Sequence, residues 1–394
     1  MTEFNSTKSA RTSKPTKPAK PHPDFPLTAH PTGRWCKKVR GKLHYFGPWA
    51  DSQSALELWI EQKDDLLAGR VPRPKGRSGP TLRELANRFL TAKKRLVDSG
   101  ELSPHTWKAY HDISETAIAF LGKDRLLTDI QPTDFERLRS NWSAKWGPTR
   151  LKAEINRLKV VFNFAWKNGI IDKPIRFGEG FASPSAKVLR LHRAAQGPNM
   201  FERDELRTML ESASQPLRAM ILLGANCAFG NSDIGSLPLS ALDLEGGWIN
   251  FHRGKTGIAR RCPLWVETIQ SLREWLARRP DPKNEADAGL VFLTVRGVGW
   301  SAGPQTSSTL VHEMRRLTDR LGIMGRSFYS LRHTFATVGS ESRDQIGVDS
   351  IMGHCDNSMS ANYRERISDT RLQAVAEHVR RWLFATPAPE GGAK

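Results

Sequence analysis

Hydrophobic positions along this chain follow two periods, short near the start and long afterwards. Two extended segments, Arg34-Trp-Cys-Lys-Lys-Val-Arg40 and Leu43-His-Tyr-Phe46, flank a Gly41-Lys42 turn and end at Gly47-Pro48, the pattern of a β-hairpin. After Asp51-Ser52 the period lengthens, with Ala55, Leu58, Trp59, Leu66 and Leu67 at helical spacing, so one helix is expected to pack on that small sheet. Thr81-Leu-Arg-Glu84 has the form of a capping box. Ser103-Pro104 reads as an N-cap followed by proline at the first helical position. Trp107, Tyr110, Ile113, Ala117 and Leu121 continue at helical period. Further helices are predicted near Pro132-Thr133-Asp134 and from Thr149 to Lys167, the latter burying Leu151, Ile155, Leu158, Phe162 and Ala165.

Breaks in this pattern divide the chain. Residues 1–24 mix Lys8, Arg11, Lys14, Lys17 and Lys20 with Pro, Ser and Thr, a composition expected to stay unfolded. The boundaries predict a sheet-and-helix unit at 25–70, a Pro/Gly/basic linker to Pro80, and a four-helix unit at 81–172. A connection at 173–197 carries Lys187, Arg190 and Arg193, and a last domain occupies 198–386. In that last domain, helices are expected from Met200 to Ser212, from Leu217 to Leu223 and from Ser368 to Phe384. Trp248–His252 and Ile258–Leu264 form a hairpin about Gly254-Lys-Thr-Gly257. The expected class is multi-domain α+β, mainly α with small β-sheets.

Charge changes the picture. Sixty Lys and Arg against 41 Asp and Glu give the 394 residues a formal charge of +19, an excess that repels itself unless a polyanion neutralises it. Double-stranded DNA is the expected partner. No apolar run reaches membrane-spanning length, and no secretory apolar segment opens the sequence, so a cytoplasmic, nucleoid-associated protein is expected. Cys36, Cys227, Cys262 and Cys355 show no CxxC spacing, which points to neither a zinc site nor a disulfide framework. No metal and no cofactor are expected.

The chemistry concentrates between Arg326 and Arg366. There the chain offers a guanidinium (Arg332), an imidazole (His354) and a phenol (Tyr363) followed by Arg364 and Arg366. A phenol is protonated at neutral pH and nucleophilic only where cations stabilise its anion. Guanidinium forks also neutralise the non-bridging oxygens of a phosphoryl-transfer transition state.

The order Tyr329-Ser-Leu-Arg332, Met352-Gly-His354 and Tyr363, nine residues beyond the histidine, resembles the C-terminal signature of the tyrosine recombinase (phage-type integrase) family. That resemblance implies a nucleophile at Tyr363, with Arg332 and His354 in supporting roles and Tyr329 where most members carry histidine. It implies a general acid at Lys255 on the hairpin tip. It also implies an arm-binding-like domain with Lys37, Lys38, Arg40 and Lys42 toward DNA, and a SAM-like core-binding domain with Arg150, Lys152, Arg157 and Lys159 toward DNA. A homo-oligomer, a tetramer on paired DNA sites, and a terminal helix passed between protomers are implied as well. One family position is missing: where a first catalytic arginine is expected, Cys227-Ala-Phe-Gly230-Asn-Ser-Asp233 carries Gly230. Arg253, Arg260 and Arg261 on the hairpin are the candidates to replace it. A binding protein without catalysis, and a type IB topoisomerase, are the alternatives.

Overall fold

The computed structural model describes residues 17–69, 72, 79–300, 309–355, 358–359 and 363–385. Lys8, Arg11 and Lys14 of the basic tail and most of the 70–80 linker lie outside these residues. The chain divides into two compact units, one ending at His192 and the other beginning at Arg193.

The first unit opens with an antiparallel sheet of β1 (Thr28–His30), β2 (Arg34–Val39) and β3 (Lys42–Pro48), in the order β1-β2-β3. Val39 pairs with Lys42, so the turn falls on Arg40-Gly41, one residue earlier than the sequence suggests. Both turn residues have positive φ, 47° and 81°, the pair of left-handed conformations whose twist matches a two-residue hairpin. Helix α1 (Ser52–Leu67) starts where the Asp51 carboxylate accepts the Ser54 N–H at 2.9 Å. It buries Ala55, Trp59 and Leu66 against Phe25, Leu27, Trp35, Val39 and Phe46.

Four helices follow: α2 (Leu82–Asp98), α3 (Pro104–Leu121), α4 (Pro132–Ser143) and α5 (Pro148–Lys167). The capping box is formed, with Thr81 N–H donating to Glu84 Oε2 at 2.8 Å and Glu84 N–H to Thr81 Oγ1 at 3.3 Å. Ser103 caps α3 with Pro104 in its first turn. Phe89, Ile113, Phe135, Leu138, Trp142 and Phe162 form the core. Residues 173–197, expected as a bare connection, differ from that reading. Phe181 is fully buried in this core with Phe177 packed against it, and Ala186–Ala195 forms a helix, α6. Two large aromatics in a Gly/Pro-rich stretch have more apolar area to bury than a solvated linker permits.

In the second unit α7 (Arg203–Ser212) leads to α8 (Leu217–Cys227), nearly every residue of which is buried. A short helix α9 (Asn231–Gly235) precedes an antiparallel sheet of β4 (Leu242–Asp243), β5 (Trp248–Asn250) and β6 (Arg261–Pro263), in the order β4-β5-β6. Helices α10 (Val266–Leu276), α11 (Thr309–Arg320), α12 (Ser330–Ser340), α13 (Gln345–Met352) and α14 (Asp369–Phe384) complete it. Buried Asn226 fixes the sheet to α8: its amide donates to Pro263 O at 2.9 Å, and its oxygen accepts from Trp265 N–H at 2.9 Å and Thr268 Oγ1 at 3.0 Å.

The terminal helix α14 buries Leu372, Val375, Ala376, Val379 and Leu383 in the core of its own unit. Trp265 Nε1 donates to Ala376 O at 2.9 Å, and Arg380 grips Glu267 at 2.8 and 2.9 Å. The expectation that this apolar face has no room in its own domain is therefore corrected, because within one chain the face is covered by the core of the same unit. Among the described residues no helix is long and apolar enough to cross a membrane.

Candidate active site

Three segments of the second unit meet around Arg332. Helix α8 ends at Cys227, Ala228 turns left-handed at φ 54°, and the chain passes through buried Phe229 to Gly230, which caps α9. Helix α12 presents Arg332, 2% exposed, whose Nη1 donates to Ala228 O at 2.8 Å and Nη2 to Met352 O at 2.7 Å. The guanidinium thus joins the end of α8 to the end of α13.

The returning arm of the hairpin contributes Arg260, whose side chain is fully buried. Its Nη2 donates to Asp233 Oδ1 at 2.8 Å and its Nε to Phe251 O at 3.2 Å, with Phe229 and Phe251 ring centroids 4.4 and 5.5 Å away. The other Asp233 oxygen accepts the Gly230 N–H at 2.9 Å. The outgoing arm contributes Arg253, half-buried, with Nη1 donating to Gly353 O at 3.0 Å. Thr256 Oγ1 donates to the same carbonyl at 3.3 Å. Gly353 ends α13 at φ 64°, and a Cβ there would lie 2.8 Å from Arg260 Cδ and 3.1 Å from Arg253 Cδ. Close approach and left-handed backbone together require glycine.

The electrostatics are unbalanced. Burial pushes the Arg332 pKa down, and the like charge of Arg253 adds to it. Tyr329 and Asp233 push the other way, and Arg260 again lowers it. Three guanidinia therefore face the single carboxylate that appears among these influences, Asp233. His333, edge-on to the Tyr329 ring at 5.5 Å, is held below the usual histidine value first by burial and then by Arg332 and Arg193.

Of the residues singled out in the sequence, Tyr329 is 47% exposed and sits over Gly230, where an added Cβ would meet its Cδ2 at 3.6 Å. Lys255 is exposed at the hairpin tip, where the reversal is held by Arg253 N–H to Ile258 O and Gly257 N–H to Arg253 O, each 2.8 Å. His354 follows Gly353, but its ring turns to Asp349, Nδ1 to Oδ1 at 2.9 Å, and lines a cleft with Ile258, Arg364 and Ile367. Tyr363 is 81% exposed, and among the described residues no hydrogen bond or ring contact joins it to Arg332, Lys255 or His354. Residues 356, 357 and 360–362 of its loop lie outside them. Arg261 is engaged elsewhere, bonded to Asp369 at 2.7 and 2.8 Å and lying 3.9 Å from the Trp248 ring.

One contributor escaped sequence reasoning, and a second was left among three candidates. Asp349, five residues before His354, is placed by the left-handed Gly353, which folds the chain back so that the His354 N–H also reaches Asp349 O at 2.9 Å. Arg253 was one name among three until the fold sorted them.

The cations of the first unit divide similarly. Lys38 and Lys42 are exposed. Lys37 turns inward, donating to Pro26 O at 3.0 Å and lying over the Trp59 ring at 4.9 Å. Arg40 donates to Leu67 O at 3.3 Å. On α5 Lys152 is exposed, Arg150 and Arg157 share Glu154 at 3.9 and 2.8 Å, and Lys159 lies over Phe177 and Phe181 at 5.6 and 5.8 Å.

Residues 199–368 match the phage integrase family. The chain is 24% identical over 260 residues to a XerC-like tyrosine recombinase of Caldanaerobacter subterraneus subsp. tengcongensis, covering 57% of this chain and 64% of that protein. It is 25% identical over 268 residues to the tyrosine recombinase XerC of Pseudomonas fluorescens, covering 65% and 84%. The first of these matches spans under two thirds of its relative's length. Among solved structures, a lambda integrase dimer bound to a COC′ core site superposes with a TM-score of 0.56 at 17% identity, over 89% of this chain and 98% of that one. A Tn1549 transposon integrase in complex with a circular intermediate DNA gives 0.54 at 15%, over 76% and 99%. These likenesses give the same multi-domain α+β fold, and within it residues 199–368 form a domain of the phage integrase family.

Proposed function

We propose that this chain breaks and rejoins duplex DNA through a covalent link to Tyr363. The observation that carries the reading is the uncompensated positive site around Arg332, with Lys255 at the tip of the hairpin that supplies Arg253 and Arg260, and His354 and Tyr363 following in sequence. Such a site suits a phosphodiester, whose non-bridging oxygens need cations as charge builds in the transition state. In this reading the Tyr363 oxygen bonds to the scissile phosphorus as the bond from phosphorus to the 5′ oxygen breaks. The phenol proton passes to His354 Nε2, since Nδ1 is engaged by Asp349, and Lys255 protonates the departing 5′ oxygen. The 3′-phosphotyrosyl link conserves the energy of the broken bond, so religation needs neither nucleotide nor metal.

The charge of +19 supports a polyanionic partner, and counterion release makes its binding steeply salt-dependent. We assign residues 25–70 and 81–172 to DNA contact, with Lys38, Lys42 and Lys152 as the free cations and Lys37, Arg40, Arg150, Arg157 and Lys159 shared with internal packing. Assembly as a tetramer on paired sites is part of the reading; a lambda integrase tetramer bound to a Holliday junction is among the similar folds. Tyr363→Phe tests the centre of it. Nicked duplex carrying a site selected by the full chain should yield a denaturant-resistant adduct with wild type and none with the variant, while both bind. A wild-type protein that binds tightly and forms no adduct is instead a binding protein on this scaffold, the outcome that the glycine at position 230 would explain.

A further inference from the structure

We propose that Arg253, on the outgoing arm of the hairpin, supplies the guanidinium that Gly230 lacks and grips the reacting phosphate together with Arg332. The inference rests on the phosphodiester reading above and names the residue that completes that site.

The three hairpin arginines have different commitments. Arg261 is bonded to Asp369 on α14 and stacked near Trp248. Arg260 is closed in by Phe229 and Phe251 and neutralised by Asp233; its remaining Nη1 is buried without a hydrogen-bond partner among the described residues, where an incoming phosphate cannot reach it. Arg253 is half-buried, and among the described residues its guanidinium holds a single bond, Nη1 to Gly353 O at 3.0 Å. Of the five N–H donors of a guanidinium, four stay available on Arg253.

Its neighbour is Arg332. Arg332 Nη2 bonds Met352 O and Arg253 Nη1 bonds Gly353 O, so the two guanidinia sit on successive carbonyls of one chain, whose Cα atoms are about 3.8 Å apart. Holding two cations side by side costs energy unless an anion bridges them. Asp233 is taken by Arg260 and by the Gly230 N–H, and the anchors of Arg332 and Arg253 are neutral carbonyls. The arrangement is that of a site built for an anion from outside. Position 230 borders the same cluster, beside Asp233 and Tyr329, so a cation arriving from the hairpin serves the region that a side chain at 230 would otherwise serve. An arginine can also be restored there: Gly230 has an ordinary φ of −97°, and an added Cβ would have 3.6 Å to its nearest neighbours.

The test uses the full chain on nicked duplex carrying a selected site, and compares wild type, Arg253→Ala, Arg253→Lys and Arg253→Ala with Gly230→Arg. Loss of one preorganised cation costs about 10² to 10³ in rate. Arg253→Ala should therefore slow adduct formation by that factor while duplex binding holds; Arg253→Lys should fall between, and added Gly230→Arg should recover part of the loss. A methylphosphonate at the scissile position, which removes one negative charge, should narrow the gap between wild type and Arg253→Ala, which a merely structural role does not do. Equal rates for wild type and Arg253→Ala overturn the proposal. Absence of any wild-type adduct overturns the recombinase reading instead. The proposal is then judged on affinity: one neutralised phosphate should weaken wild type more than Arg253→Ala, which keeps only the Arg332 grip, and an equal loss in both proteins overturns it.

Discussion

Asparagine in place of Asp233 removes one charge and turns the acceptor that faces Arg260 Nη2 into a donor. The amide has the same shape and keeps an acceptor for the Gly230 N–H, so the α9 cap survives; what disappears is the counterion of Arg260. That ion pair is closed at 2.8 Å with side-chain exposures of 0% and 11%, and among the described residues Arg260 has no other carboxylate. At about 4 Å and an effective dielectric near 20 the attraction is worth about 4 kcal/mol, and breaking one side of a buried pair costs about 3–5 kcal/mol. A domain of this size loses about 2–4 °C of melting temperature per kcal/mol, so calorimetry of Asp233→Asn should show a fall of roughly 10 °C. The partner variant Arg260→Met should also destabilise. The double variant should lose less than the two singles together, because an apolar side chain between Phe229 and Phe251 no longer calls for a counterion. A melt within about 2 °C of wild type for Asp233→Asn, or strictly additive losses, refutes the buried pair as the keystone of this corner.

Two further outcomes follow from the geometry. Gly353→Ala forces an L-residue into the left-handed region, costing about 1–2 kcal/mol, and drives its methyl into the stems of Arg260 and Arg253; melting temperature and adduct rate should both fall, and an unchanged rate would detach Arg253 from the chemistry. The hydrogen-bonded Arg371 holds the Asp344 carboxyl below its ordinary 3.8 against the opposing effect of burial, with help from the Gly347 N–H. A depressed folded value means that the unfolded chain takes up protons first. The contribution is therefore complete above 3.8 and lost as pH falls through the lower folded value. The stability gap between wild type and Arg371→Gln in denaturant titrations should close in that acid window, and a gap constant with pH contradicts the linkage.

Local signals were legible where the physics is local. Thr81 with Glu84 and Ser103 with Pro104 announce helix starts because each cap is satisfied within a few residues, and the five inward positions of α14 are readable from spacing alone. The hairpin turn was misplaced by one residue because Arg40 takes the left-handed conformation that the rule reserves first for glycine. Lys37 was legible as a cation but not as one lying over Trp59, since the irregularity between Trp35 and Cys36 shifts the strand's alternation. In the site, the order of Arg332, His354 and Tyr363 could be read directly. The sorting of Arg253, Arg260 and Arg261 could not, because it depends on Asp233, Gly353 and Asp369 arriving from distant parts of the chain.

Arg332 is positioned by the carbonyl oxygens of Ala228 and Met352, and every amino acid carries a carbonyl. Substitution at 228 or 352 changes a side chain without deleting either anchor, so what limits it is the packing of buried Ala228 and Met352 rather than the hold on Arg332. The hold on this central cation consequently depends on the route of the main chain, at left-handed Ala228 and Gly353, more than on the side chains that carry the two carbonyls.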